Sequence, residues 1–328
     1  MRVSKKVVIG AAAAAFTLAS GAAMAGSHGT YPSKPVKIVV GFSAGGGTDI
    51  TSRGFASFLH ESASMAGQPA YIVNVPGASG QKGAKQVLGE KPDGYTLYMI
   101  NIGTFIVGEL AKGKDAPYSV RNDWENLGCM SQLVTSLQVH SSHPAKNMKE
   151  FVDWAKAQGK TITWGTSGAT TMHSGIGVTF FEKNGIPHKM VPFKGGAPAR
   201  AALVSQSVQA VFGGNNTIAG FEDVMRPLAT AGETRDSTMK DLATFSEQGM
   251  SGADFTGLFC LFAPKGVPDE VKTKIDAAIQ DVVKLKGFKG FMKKNNLGAF
   301  YTSPSAAIKA QEAMYTAMVP VMQQLTAK

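Results

Sequence analysis

The sequence predicts an α/β protein of two lobes around a shared cleft, and three observations carry that prediction. First, four short loops of small residues each stand between a β-rich run and a helical stripe. They are Ser43-Ala44-Gly45-Gly46-Gly47-Thr48-Asp49, Pro76-Gly77-Ala78-Ser79-Gly80, Gly165-Thr166-Ser167-Gly168-Ala169-Thr170-Thr171 and Lys194-Gly195-Gly196-Ala197-Pro198. Second, the interval from the first loop to the second is closely repeated from the third to the fourth. Third, the alternation of β and α patterns around the first pair restarts around the second. A helix start preceded by small residues exposes unpaired N–H groups and a partial positive charge, which suits an anion. Two such pairs predict one anionic ligand held between two similar lobes.

Taken in order, Val36–Val40 is a β-rich run that ends at the first loop. Thr48 is the expected N-cap of a helix burying Ile50, Phe55, Phe58 and Leu59. Tyr71–Val75 is the next strand, and residues 79–90 read as a helix with Ala84, Val87 and Leu88 inward. Pro92-Asp93-Gly94 is a turn into the strand Tyr95–Ile100. The pattern resumes at Asn147, a cap for the helix carrying Phe151, Val152 and Trp154. Thr161–Trp164 leads into the third loop, and Met172, Ile176 and Phe180 recur as one helical face. Lys189–Phe193 and Val208–Phe212 are strands, with Pro198 suited to the first position of the helix between them. Leu258–Ala263 is a short apolar strand closed by Pro264, and Asp269–Gln324 reads as helices returning to the first lobe. The expected layout is lobe 1 over 26–128, lobe 2 over 129–256 and the return over 257–328. Chain crossovers are expected near 125–132 and 255–262.

Residues 1–25 read as a cleavable export signal. Arg2, Lys5 and Lys6 precede the apolar run Val7–Leu18, and Ala23-Met24-Ala25 gives a small-residue cleavage site. Cleavage would remove those three basic residues and no acidic one, lowering the formal charge from +10 to +7. The mature protein is therefore expected to be exported and soluble, with a retained N-terminal anchor as the alternative that the cleavage site disfavours. The only dense basic run, Lys284 to Lys294, has no aromatic stacking platform with it and reads as a solvated helix face, which argues against nucleic acid. A modest positive field would still help recruit anionic solutes. The chain has two cysteines, Cys129 and Cys260, so no disulfide framework is expected. An oxidising compartment allows them to pair, but two separately buried thiols are the expected state.

At these loops the chain resembles the extracytoplasmic solute receptors of tripartite tricarboxylate transporters, the Bug family. The resemblance rests on Tyr31–Val40, Gly45–Asp49, Pro76–Gly80, Pro92–Leu97, Gly165–Gly168 with His173, Val191–Gly195 and Leu258–Pro264, in the family's order. It implies a type II periplasmic-binding-protein fold with a ligand cleft between hinged lobes. It also implies capture of a small carboxylate by loop backbone N–H groups and delivery to a permease of large and small membrane subunits. A monomer without a cofactor is the corresponding expectation. Gly213-Gly214-Asn215-Asn216 stands where the family often has an aspartate after the strand phenylalanine. Ser43-Ala44 replaces a frequent Ala-Pro pair, and 121–143 matches loosely. These departures bear on which acid is bound.

The candidate ligand contacts in the first lobe are Ser43, Ala44, Gly45, Gly46, Gly47, Thr48, Asp49, Gly77, Ala78, Ser79, Gly80, Gly103 and Thr104. Those in the second are Thr166, Ser167, Gly168, Thr170, His173, Lys194 and Gly195. Asp49 reads first as an acid stabilising a helix dipole and second as a ligand contact. Asn101 follows a strand end and borders the same region. A secreted hydrolase using Ser167 or Ser79 with His173 is the alternative reading. Gly165-Thr166-Ser167-Gly168-Ala169 lacks the last glycine of a nucleophile elbow, and Gly45-Gly46-Gly47-Thr48 lacks the G-K-[ST] ending of a P-loop. His140 and His143 have no Cys, Asp or Glu at metal-ligand spacing.

Overall fold

The structure is a computed structural model that describes residues 31–250 and 255–326; the export-signal segment 1–25 and His28 lie outside them. Two sheets form the cores of two lobes with a cleft between. In the first lobe, β1 (Val36–Val40) pairs in parallel with β2 (Ala70–Asn74) and with β3 (Thr96–Asn101). The glycine loop after β1 feeds α1 (Gly47–Phe58), β2 leads to α2 (Gln81–Leu88), and β3 runs into α3 (Ile102–Leu110). Next comes β4 (Trp124–Leu133), after which only Val134 separates it from β5 (Thr135–His140) in the second sheet.

The second lobe continues with α4 (Met148–Ala157), β6 (Ile162–Thr166), α5 (Met172–Lys183), β7 (His188–Pro192), α6 (Gly196–Val204), β8 (Ala210–Gly214) and β9 (Met225–Thr230). Its sheet order is β7-β6-β8-β5-β9, with β6 parallel to β7 and β8. The chain returns through β10 (Gly257–Pro264), which lies antiparallel between β3 and β4. Then α7 (Asp269–Lys284), α8 (Lys286–Lys294), β11 (Ala299–Thr302) and α9 (Pro304–Thr326) complete the first lobe, whose order is β11-β4-β10-β3-β1-β2. Among the described residues no helix is long and apolar enough to cross a membrane.

Each lobe closes over an aromatic core. Tyr98, Phe105, Trp124 and Phe262 pack edge-on or tilted in the first; in the second, Trp164 stacks on Phe181 and meets Phe212 edge-on. Burying side chains of that size contributes roughly 2–3 kcal/mol each by area, which is what holds the helices on the sheets. Several expectations need correction. Thr48 is not the N-cap of α1: Gly46 takes that extended position, and Thr48 sits inside the first turn. The second helix starts at Gln81 rather than near residue 79, because Ala78, Ser79 and Gly80 all have positive φ and form a left-handed turn. Pro198 lies at the third position of α6, not the first. The strands β4, β5, β9 and β11 and the helix α3 carry no period strong enough to be read in advance.

The cysteines are the clearest correction. Cys129 of β4 and Cys260 of β10 face each other in the antiparallel register and are joined by a disulfide, with Cα atoms 3.8 Å apart. The expectation of two separate thiols fails because the two strands that lead to and from the second lobe lie side by side in one sheet.

Candidate ligand-binding site

The carboxyl ends of β1, β3, β6 and β8 all point at the cleft, and in an open α/β sheet that edge is where loops are free to meet a ligand. An inner chamber of about 410 Å³ of empty space, mouth included, lies there between the lobes. The first lobe contributes Phe42 and Gly46–Thr48 from the β1–α1 loop, Asn101 and Thr104 from the start of α3, Leu133 of β4 and Phe259 of β10. The second contributes Ser167 and His173, Gly196, and the Gly214, Asn216 and Thr217 cluster after β8. No Asp, Glu, Lys or Arg belongs to this wall. The starts of α1, α3, α5 and α6 converge on it instead, each with the partial positive charge of a helix N-terminus. An anion is thereby favoured without a salt bridge.

A second, outer chamber of about 520 Å³ of empty space shares Phe42 and Ser167 with the first. Its wall adds Gly77, Ala78, Ser79, Gly168 and Lys194. Eleven of the twenty candidate contacts therefore line one chamber or the other. Ser43, Ala44, Gly45, Asp49, Gly80, Gly103, Thr166, Thr170 and Gly195 line neither. Phe42, Leu133, Gly196, Gly214, Asn216, Thr217 and Phe259 were not among the candidates. The polar run Asn215-Asn216-Thr217 directly after a strand was the signal that could have found part of them.

Several of the residues off the wall act by holding the loops. The Asp49 carboxylate is almost wholly buried and is filled by the Gly45 N–H at 2.9 Å, Arg53 Nε at 2.9 Å and Asn74 Nδ2 at 2.9 Å. It shapes the loop and has no capacity left for a ligand amine. Gly80 is interior, its carbonyl accepting from the Tyr98 hydroxyl at 2.8 Å.

The lobes are zipped together across the cleft. Ser43 donates to the Lys194 carbonyl through both its N–H at 2.9 Å and its hydroxyl at 3.0 Å. Ser79 Oγ accepts the Thr170 N–H at 3.0 Å, and Thr104 Oγ1 accepts the Met172 N–H at 3.3 Å. With its amide turned to satisfy both groups, Asn216 accepts from the Gly47 N–H at 3.1 Å. Glycines make this approach possible: a Cβ at Gly168 would sit 2.6 Å from Ser79 Oγ, and one at Gly46 only 3.3 Å from the Gly196 nitrogen.

His173, in the first turn of α5, is buried and bonds Thr135 Oγ1 through Nδ1 at 2.8 Å. Burial pushes its pKa down to about 4 from an ordinary 6.5. The unfolded chain thus binds this proton below pH 6.5 while the folded chain resists it until about pH 4. Stability is full above pH 6.5 and falls as the pH drops through that window, by on the order of 3 kcal/mol. His143, held near 4 by burial and by Arg226, adds to the same window. Melting curves from pH 7.5 to 4.5 should show His173→Gln with a shallower acid slope; an unchanged slope would place the titration elsewhere. Among the described residues no hydrogen bond joins Ser167 or Ser79 to His173, whose Nδ1 is already engaged. A nucleophile–base pair is not assembled.

Comparison with known proteins decides the family. Residues 57–324 match the model of the tripartite tricarboxylate transporter family receptor. The chain belongs to that family. A Cupriavidus necator relative, described as a UPF0065 protein in the gbd 5' region, is 29% identical over 89% of this chain and 88% of its own. The solved structure of the periplasmic binding protein BugD superposes with a TM-score of 0.81 at 25% identity, over 90% of this chain and 98% of that one. Two Rhodopseudomonas palustris structures share the fold: MatC with bound malate (TM-score 0.81, 22% identity, 89% and 100% coverage) and a protein with adipate (0.82, 23%, 89% and 97%). As a family member, the receptor pairs a two-lobed binding-protein fold with an inner chamber that has no charged side chain in its wall.

Proposed function

We propose that this receptor works in the periplasm as a monomer, capturing a small di- or tricarboxylate or an aromatic acid and passing it to the large and small membrane subunits of a tripartite permease. The observation that carries the reading is the meeting of helix starts from both lobes on a chamber with no charged side chain. The ligand carboxylate is taken by main-chain N–H groups around Gly46–Thr48 and the third and fourth loops, and the lobes then close over it. Closure excludes water and strengthens each contact. The malate and adipate held by the two R. palustris neighbours support the choice of ligand class.

The test is a thermal-shift screen of the purified protein against malate, succinate, citrate, adipate and benzoate, with glucose and spermidine as controls. A bound acid at a hundred times its Kd should stabilise by about 2.7 kcal/mol and raise Tm measurably. A shift with a control and with none of the acids would refute the reading.

A further inference from the structure

The geometry points to a second recognition surface: a lysine-lined groove at the junction of the two lobes that receives an acidic, extended segment of a partner protein. The groove has about 990 Å³ of empty space, mouth included, and shares no residue with either ligand chamber. One wall is the second-lobe stretch 237–241, with Lys240; the other is α8 and the start of β11, with Lys289 and Lys293. The lobes touch here, since a Cβ on Gly298 would lie 3.5 Å from Ser237 Oγ.

Charge selects the occupant. Residues 284–298 hold five lysines and no acid. Lys284, Lys286, Lys289, Lys293 and Lys294 are all exposed, and with Lys240 they enter no ion pair or side-chain hydrogen bond among the described residues. Helices α4 and α7 do otherwise: Lys149 pairs with Asp153, Lys272 with Asp269 and Lys274 with Glu270, each within one turn. Lys289 and Lys293 stand one turn apart on α8, where like charges repel. What holds α8 is its other face, where Phe288 and Met292 are buried and Phe288 meets Phe58 of α1 edge-on. Asp241 is the one acid in the groove wall, against three lysines.

Shape narrows the choice further. The loop carrying Lys240 is held in place: Asp236 accepts from Asn215 Nδ2 at 2.7 Å and from the Thr238 N–H at 2.8 Å, and Arg235 Nη1 donates to the Lys240 carbonyl at 3.2 Å. Lysines are compact charges on long stems, suited to separate carboxylates rather than to one planar group. Placed on both walls of a concavity, they match acids spaced along a protruding stretch of chain, which a flat lipid surface cannot imitate. Because the walls belong to different lobes, the same segment also reads how the lobes are arranged.

The experiment follows the anisotropy of a labelled acidic peptide, a run of alternating glutamate and glycine, at low salt. The wild-type protein should bind it, and more weakly as salt is added. Lys240→Ala alone and Lys289→Ala/Lys293→Ala should each weaken binding about threefold, and the triple variant about tenfold or more. Removing as many exposed lysines elsewhere, at Lys112, Lys114 and Lys156, changes the net charge equally and should cost less than about twofold. The triple groove variant should melt no lower than wild type, because α8 loses a repulsion. Wild-type protein that ignores the peptide, equal losses in groove and control variants, a loss confined to one lobe's lysines, or a lower melting temperature overturns the docking site. So does binding to phosphatidylglycerol vesicles, lost in the triple variant, without binding to the peptide, which would assign the lysines to a lipid surface. No arm uses a cleft ligand, so the outcome is independent of the carboxylate reading.

Discussion

Replacing Gly168 with alanine should weaken binding of any cleft ligand about ten- to a hundredfold while leaving both lobes folded. The new Cβ would lie 2.6 Å from Ser79 Oγ, 3.1 Å from Ser79 Cβ and 2.9 Å from Thr171 Cγ2. Both neighbours are short side chains with little room to give. Ser79 itself sits in the left-handed region, at φ 54° and ψ 35°, with its hydroxyl engaged by Thr170 of the other lobe. The clash with Ser79 of the other lobe exists only in the closed state, whereas the one with Thr171 lies within the same loop and burdens both states, so a ligand that needs closure loses affinity through the Ser79 contact. Ser79→Ala should cost about 1 kcal/mol, roughly fivefold in Kd, by deleting the same cross-cleft bond. The double variant should fall short of the summed losses, because removing Oγ makes room for the methyl. Calorimetric titration checks all three. Unchanged affinity in Gly168→Ala would show that the third loop need not approach Ser79 for binding.

Removing the Cys129–Cys260 bridge is expected to be the largest single loss of stability. The bond closes a loop across a sequence separation of 131 residues, and the chain-entropy model assigns a loop of that length about 5 kcal/mol, against 2–4 kcal/mol for disulfides generally. Both half-cystines are fully buried between β4 and β10, so a reductant reaches them only through an opened state. A Cys129→Ala/Cys260→Ala double variant should melt on the order of 10 °C lower than the oxidised protein. Protein refolded in excess dithiothreitol should match it. Equal melting temperatures, with thiol titration confirming reduction, would mean that the sheet pairing alone sets the stability. A bridge of this kind persists in an oxidising compartment, which the proposed periplasmic location would provide.

The first-lobe strands β1, β2 and β3 and the helix α5 were legible because their apolar periods are strong and their ends are marked by glycine, proline or a capping residue. The family's order of short motifs did the rest for fold class. What escaped was decided by pairing across long stretches of chain. β4 and β10 lie side by side only because the chain crosses twice between lobes, and the cysteine pairing follows from that register alone. The site was half legible for a similar reason. Sequence marks which loops have free N–H groups, but not which of those groups the protein itself will take. Asp49 reads first as a structural acid and second as a ligand contact, and it is the Gly45 N–H, Arg53 and Asn74 around its carboxylate that separate the two. Gly214 and Asn216 lie in the stretch that departs from the family's pattern, so the resemblance offered nothing there.

Backbone amide resonances give the most direct view of how the acid is held. In 15N-labelled protein titrated with malate or adipate, the N–H signals of Gly46, Thr48, Ser167 and Gly196 should move downfield together and saturate with one Kd, as hydrogen bonds to a carboxylate require. Should those four stay in place while a ligand binds and resonances shift around an exposed lysine cluster such as Lys289 and Lys293, the acid is held by side-chain charge and the account is contradicted.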